Sequence, residues 1–172
     1  MQSITYSGYR RTRRGIQVLE VLLLFPVLLI ATLSFFVLGP TVTIRQNVQH
    51  AAEETAREVA KKIGTQTTTI IATDVVNEVL SVHGLDLSMN GVRADVWEYD
   101  DGGGGSIIHT PLGDTANVAA PTTPVGFNDP EQVIVQVTVE VGSAPIPNIL
   151  SNMNFDITGR YLVHRATAFR DP

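Results

Sequence analysis

The chain contains no cysteine. That excludes disulfides, thiol nucleophiles and thiolate zinc sites, so any folded part is held by its core alone. About 110–130 residues can supply such a core. Histidine is scarce too: its four copies, at 50, 83, 109 and 164, stand far apart and without ligand spacing. No Gly-x-Ser-x-Gly occurs. The glycine run 102–105 lacks the lysine and the helix start of a phosphate loop. Asp100 and Asp101 precede those glycines, yet the later glutamate of a calcium loop is missing. Trp97, Tyr99, Phe155, Tyr161 and His164 fall in strand-like stretches and read as packing or surface residues. The residues therefore point to no catalytic group, no metal site and no cofactor.

Charge is missing from one long stretch. Residues 21–38 carry none, and Glu20 is the one ionisable group between Ile16 and Leu38. As a helix, those 23 residues span roughly 34 Å, against about 30 Å for the hydrocarbon core of a bilayer. Arg10, Arg11, Arg13 and Arg14 stand just before them. Basic residues beside a span stay in the cytoplasm, so they set the topology: the N-terminus inside, the remainder across the membrane. All seventeen acidic residues follow Gly15, with only eight of the twelve basic ones. An acidic exported part argues against a nucleic-acid partner.

Three readings of this stretch compete. A cleaved secretory signal has a shorter apolar region and a small-residue cleavage site, whereas this run ends in Val37-Leu38-Gly39-Pro40. A plain signal-anchor leaves Gly15 and Glu20 unexplained. Cleavage between Gly15 and Ile16, on the cytoplasmic side, makes Glu20 the fifth residue of the mature chain. A carboxylate in the outer part of a bilayer costs on the order of 2–3 kcal/mol unless it is paired or protonated. Cleavage creates an α-amino group at Ile16, about 6 Å along the helix from Glu20. That amine, or a neighbouring subunit's, can neutralise the carboxylate inside a helix bundle.

The sequence Arg13-Arg14-Gly15 followed by Ile16-Gln17-Val18-Leu19-Glu20 resembles the class III signal of type IV pilins and pseudopilins. It is similar in particular to the TadE-like family, the minor pseudopilins of tight-adherence pilus systems. Members pair a basic-Gly leader with a glutamate and, beyond it, a proline; here these are Gly15, Glu20 and Pro26, with Pro26 as the expected kink. Val21 stands where an aromatic usually follows the glutamate. The C-terminal Ala166-Thr167-Ala168-Phe169-Arg170-Asp171 is also similar to the family's closing strand. The resemblance implies a non-catalytic assembly subunit of the inner membrane, with its domain periplasmic or extracellular. A prepilin peptidase would cut at Gly15/Ile16, and Glu20 would register subunits. The implied partners are that peptidase, the major pilin, other minor pseudopilins, the assembly platform and the lipid bilayer. The rival reading is a single-pass anchored binding module with no part in a pilus.

Four segments follow: a basic leader 1–15, a span 16–38, an amphipathic helix 39–64 and an exported domain 65–172. Gly39 and Pro40 either end the first helix or kink it. Beyond them Ile44, Val48, Ala52, Ala56, Val59 and Ile63 recur at helical spacing, before Gly64 as a stop. Glu53–Arg57 and Glu58–Lys62 are expected as favourable pairs four apart. Ile70, Ile71, Val75, Val76, Val79 and Leu80 predict a second helix ending at His83-Gly84. From Leu85 the pattern turns to β, with a hairpin around the glycine run. Residues 110–131, with four prolines, read as an irregular connection. Val133, Val135, Val137, Val139 and Val141 share one face of a strand, and residues 155–169 read as a long last strand. The expected fold is α+β and pilin-like: a membrane helix prolonged into an amphipathic one, packed on a small antiparallel sheet.

Overall fold

The computed structural model describes residues 10–61, 67–99, 106–125, 127, 129–144, 151 and 156–170. The chain is α+β, as expected: a long helix α1 (Arg10–Ala60), a short helix α2 (Thr68–Ser81), and strands β1 (Val92–Tyr99), β2 (Ile107–Gly113), β3 (Gln132–Glu140) and β4 (Tyr161–Phe169). Every neighbouring pair is antiparallel, in the order β2-β1-β3-β4.

Helix α1 runs unbroken for 51 residues, about 77 Å at the usual rise. Pro26 and Pro40 both sit inside it. Neither has the N–H that bonds four residues back. Around Pro40, the hydroxyls of Thr41 and Thr43 donate to the carbonyls of Val37 (2.7 Å) and Gly39 (3.2 Å). Gly39-Pro40 therefore does not end the helix. The two halves of α1 differ in surroundings. Leu22 and Phe35 are 72% and 74% exposed, whereas Val37, Ile44, Val48 and Val59 are at most 2% exposed. The second half packs on α2, β3 and β4. Its buried stripe is rich in alanine (Ala51, Ala52, Ala56, Ala60), and short side chains let a second layer approach closely. Ile63 and Gly64 lie outside the described residues. Among the described residues charges pair three apart, Glu54 with Arg57 (3.7 Å) and Glu58 with Lys61 (2.8 Å), and Lys62, the expected partner of Glu58, lies outside the described residues. Glu53 accepts from Gln49 (2.9 Å) instead of pairing with Arg57.

Helix α2 starts at a Thr67 cap, whose side chain accepts from the Ile70 N–H. It buries Ala72, Val76 and Leu80. Gly84, at φ +66°, carries the chain out of it. Sheet and helices then share one core, in which Val92, Ala94 and Val96 of β1 meet Val133, Val135, Val137 and Val139 of β3.

Two strands differ from the sequence reading. Pro111 belongs to β2, not to an irregular connection. The chain enters β4 only at Tyr161, after a turn at Thr158-Gly159 with Gly159 at φ +70°. Phe155 lies outside the described residues, and Ile157 precedes the strand and is buried in the core. Both differences have one cause: proline reads as a breaker and alternation reads as strand, yet tertiary position decides.

Candidate functional site

The residues singled out by sequence all lie on the first half of α1. Arg10, Arg11, Arg13, Arg14 and Gly15 occupy its opening turns, and their side chains lie outside the described residues. The Gly15–Ile16 peptide bond is inside the helix. Proteases cut extended chain, so access to this bond requires local unwinding of the first turns.

Ile16 is exposed, as are Leu19, Glu20, Leu22, Leu23 and Phe25 around it. Among the described residues no hydrogen bond or ion pair reaches Glu20, and no strand or second helix packs near it. The whole stretch is one apolar cylinder with a single acid on its flank. Among the described residues it is the one helix long and apolar enough to cross a membrane, and only 6% of its most apolar window is buried. A core helix of a globular protein of this length would be mostly covered.

Two polar clusters in the domain were not foreseen. On the far side of the sheet from the helices, Arg93 and Asp95 form a buried two-pronged pair, Nε to Oδ2 and Nη2 to Oδ1, both 2.8 Å. The Asp95 contact raises the Arg93 guanidinium further above its ordinary value, against the opposing effect of burial. Arg93 also donates to the Val118 carbonyl at 2.9 Å, and His109 Nε2 meets Asp95 at 2.8 Å. His109 stacks on Trp97 with centroids 5.0 Å apart, and Tyr99 stacks on Phe127 at 4.9 Å. These contacts pin the connection between β2 and β3 across the sheet. Every Asp95 oxygen is engaged, which fixes the positions of Arg93 and His109 on the sheet.

The second cluster closes the upper end of the domain. Glu98 is buried on the helix side, where the Thr68 hydroxyl and Arg170 Nη2 (2.7 Å) both donate to it. It ties α2, β1 and the end of β4 together. Only alternation in β1 hinted at either cluster: Arg93, Asp95 and Trp97 share a face that a sequence alone assigns to solvent. Among the described residues no group of three or more metal-ligating side chains converges. No protein-family model, curated protein or solved structure matches this chain.

Proposed function

We propose that the chain is a membrane-anchored assembly subunit, a minor pseudopilin of the TadE-like kind serving a tight-adherence pilus or a related secretion apparatus. One observation carries the reading. A naked apolar helix, bearing Glu20 as its one acid between Ile16 and Leu38, continues unbroken into the helix that forms the core of a small domain. An anchor that merely tethers has no need of rigid continuity, and none of an acid that costs on the order of 2–3 kcal/mol in lipid. Both suit a part that must be placed in register with others.

In this reading Arg10, Arg11, Arg13 and Arg14 hold the N-terminus in the cytoplasm. A prepilin peptidase cuts at Gly15/Ile16. The new amine, on this subunit or its neighbour, offsets the Glu20 carboxylate, and α1 packs laterally against the major pilin and other minor subunits. Mass spectrometry of the chain isolated from its native membrane tests the first step, with loss of residues 1–15 expected. Glu20→Ala tests the second: it is inserted and cleaved as before but fails to co-purify with filament components. An intact N-terminus, or normal assembly by Glu20→Ala, favours the plain anchored module instead.

A further inference from the structure

Asn90 and Gly91 stand together in the turn that leads into β1, the one Asn-Gly pair in the chain. The fold demands the glycine. Its φ is +82°, and a Cβ there would overlap the side chains of Ser143 and Glu140. Glycine is also the neighbour that least hinders a reaction of asparagine with its own chain, in which the next main-chain nitrogen attacks the side-chain amide carbon. The asparagine is available for it: Asn90 is exposed, and among the described residues its side chain has no hydrogen-bond partner.

The chemistry needs water and nothing else. The Gly91 nitrogen bonds to Asn90 Cγ, the Cγ–Nδ2 bond breaks, and the side-chain nitrogen leaves as ammonia with the proton that Gly91 gives up. Water then opens the cyclic imide. Opening at Cγ leaves aspartate. Opening at the main-chain carbonyl leaves isoaspartate, with an extra carbon in the backbone.

In the fold the attacking nitrogen is held back. The Gly91 N–H donates to Asp114 Oδ2 at 2.8 Å, and the Gly91 carbonyl accepts from the Glu140 N–H at 2.7 Å. Gly91 is buried. Attack must turn the peptide between Asn90 and Gly91, which breaks the bond to Asp114. That carboxylate does not assist by taking the proton. The Gly91 bond is the largest of the causes that hold it below the ordinary 3.8, and so weak a base does not deprotonate a main-chain amide. Asp114 is itself fixed by Asn117, whose N–H (2.9 Å) and side-chain amide (3.0 Å) both donate to it. The start of the connection between β2 and β3 thus closes the turn before β1.

We propose that Asn90-Gly91 is a self-modification site kept shut by Asp114, and that the chain converts position 90 to aspartate and isoaspartate when this turn opens. The extra backbone carbon of isoaspartate displaces Gly91 from both Asp114 and Glu140, so a converted turn does not close as before. The product therefore records past opening of this end of the domain. The proposal is independent of the assembly reading: it involves neither Glu20 nor cleavage nor any partner.

The full chain in detergent is aged at neutral pH and digested, and position 90 is read by mass spectrometry with fragmentation that tells isoaspartate from aspartate. The folded parent keeps its asparagine, and unfolding in urea speeds conversion by about a hundredfold or more. Asp114→Ala, checked as folded by circular dichroism, converts faster than the parent by about tenfold or more. Asn90→Gln added to it stops the reaction, because the larger ring closes slowly. In mild urea the parent's conversion at Asn90 and amide hydrogen exchange at Gly91 rise together. That series needs no variant and decides the matter where Asp114→Ala fails to fold. Conversion as fast in the folded parent as in urea would overturn the proposal. So would a folded Asp114→Ala chain that converts no faster than the parent, or more slowly, the sign of a carboxylate that assists. Conversion that advances while the Gly91 amide stays protected would overturn it as well.

Discussion

Glu98 and Arg170 are far apart in sequence and 2.7 Å apart in the fold. Glu98 is buried, with 7% of its side chain exposed, and its guanidinium partner is partly buried at 18%. Such a pair adds little over an apolar pair of the same shape, but removing one member strands a desolvated charge. Arg170→Met leaves the Glu98 carboxylate with the Thr68 hydroxyl and an apolar neighbour, at a cost of about 2–4 kcal/mol. Adding Glu98→Gln removes the stranded charge and restores part of that loss, because contacting residues are not additive. Urea unfolding of the detergent-solubilised chain checks both. Equal stability of Arg170→Met and the parent would mean that the pair is solvated. Neither residue could be matched from sequence. They stand 72 residues apart in sequence, and only the closing of the sheet brings them together.

The elements were legible where an apolar face recurs strictly, whether or not the opposite face is covered too. Helix α2 and strand β3 follow from periods near 3.6 and 2, and the second half of α1 from its alanine and valine stripe. In β1, as in β3, the opposite face is covered as well: helices lie on one side of β1 and the chain between β2 and β3 on the other. That second cover depends on a long-range landing which no local pattern announces. Its fixed point is the start of the connection. Asp114 accepts from the N–H of Gly91 (2.8 Å), then from Asn117 and Ala116, and these bonds hold its carboxyl below the ordinary value of 3.8. A carboxyl whose pKa is lowered by folding adds stability above its unfolded value and loses it as pH falls through the folded one. Asp114 therefore helps at neutral pH and ceases to help in acid below its ordinary value. Asp114→Asn is expected to be less stable than the parent at neutral pH, with the gap narrowing in acid. Melting curves from about pH 6 down to about pH 2 measure this, and a constant gap across that range would refute the ionised role. Gly113 enforces the same turn. It sits at φ +81°, and a Cβ there would overlap the Val92 carbonyl.

At the scale of the whole molecule, the anchor and the domain are one object. The sequence divides at Gly39-Pro40, where glycine and proline suggest a joint, but the helix passes through and its second half supplies the centre of the core. Ile44, Val48 and Val59 are each at most 2% exposed. At about 1.5–3 kcal/mol for each buried side chain, these three contribute about 5–9 kcal/mol. A domain of this size has about 5–15 kcal/mol in all. A chain beginning at Thr41 keeps that stripe and drops the exposed apolar residues, so it should fold and stay in solution without detergent. A chain beginning at Gln66 loses α1 altogether and exposes the inner valines of β3, together with Leu162, Ala166 and Ala168 of β4, so it should aggregate or remain unfolded. Circular dichroism and the spread of amide signals in a proton–nitrogen spectrum separate the two results. If the Gln66 chain folded, the sheet would be self-sufficient and α1 a detachable tether. Force or displacement in the membrane would then stop at residue 60. If it fails to fold, any shift of the apolar half of α1 must move the sheet, and in the proposed anchored subunit α1 is the element that joins bilayer and domain mechanically.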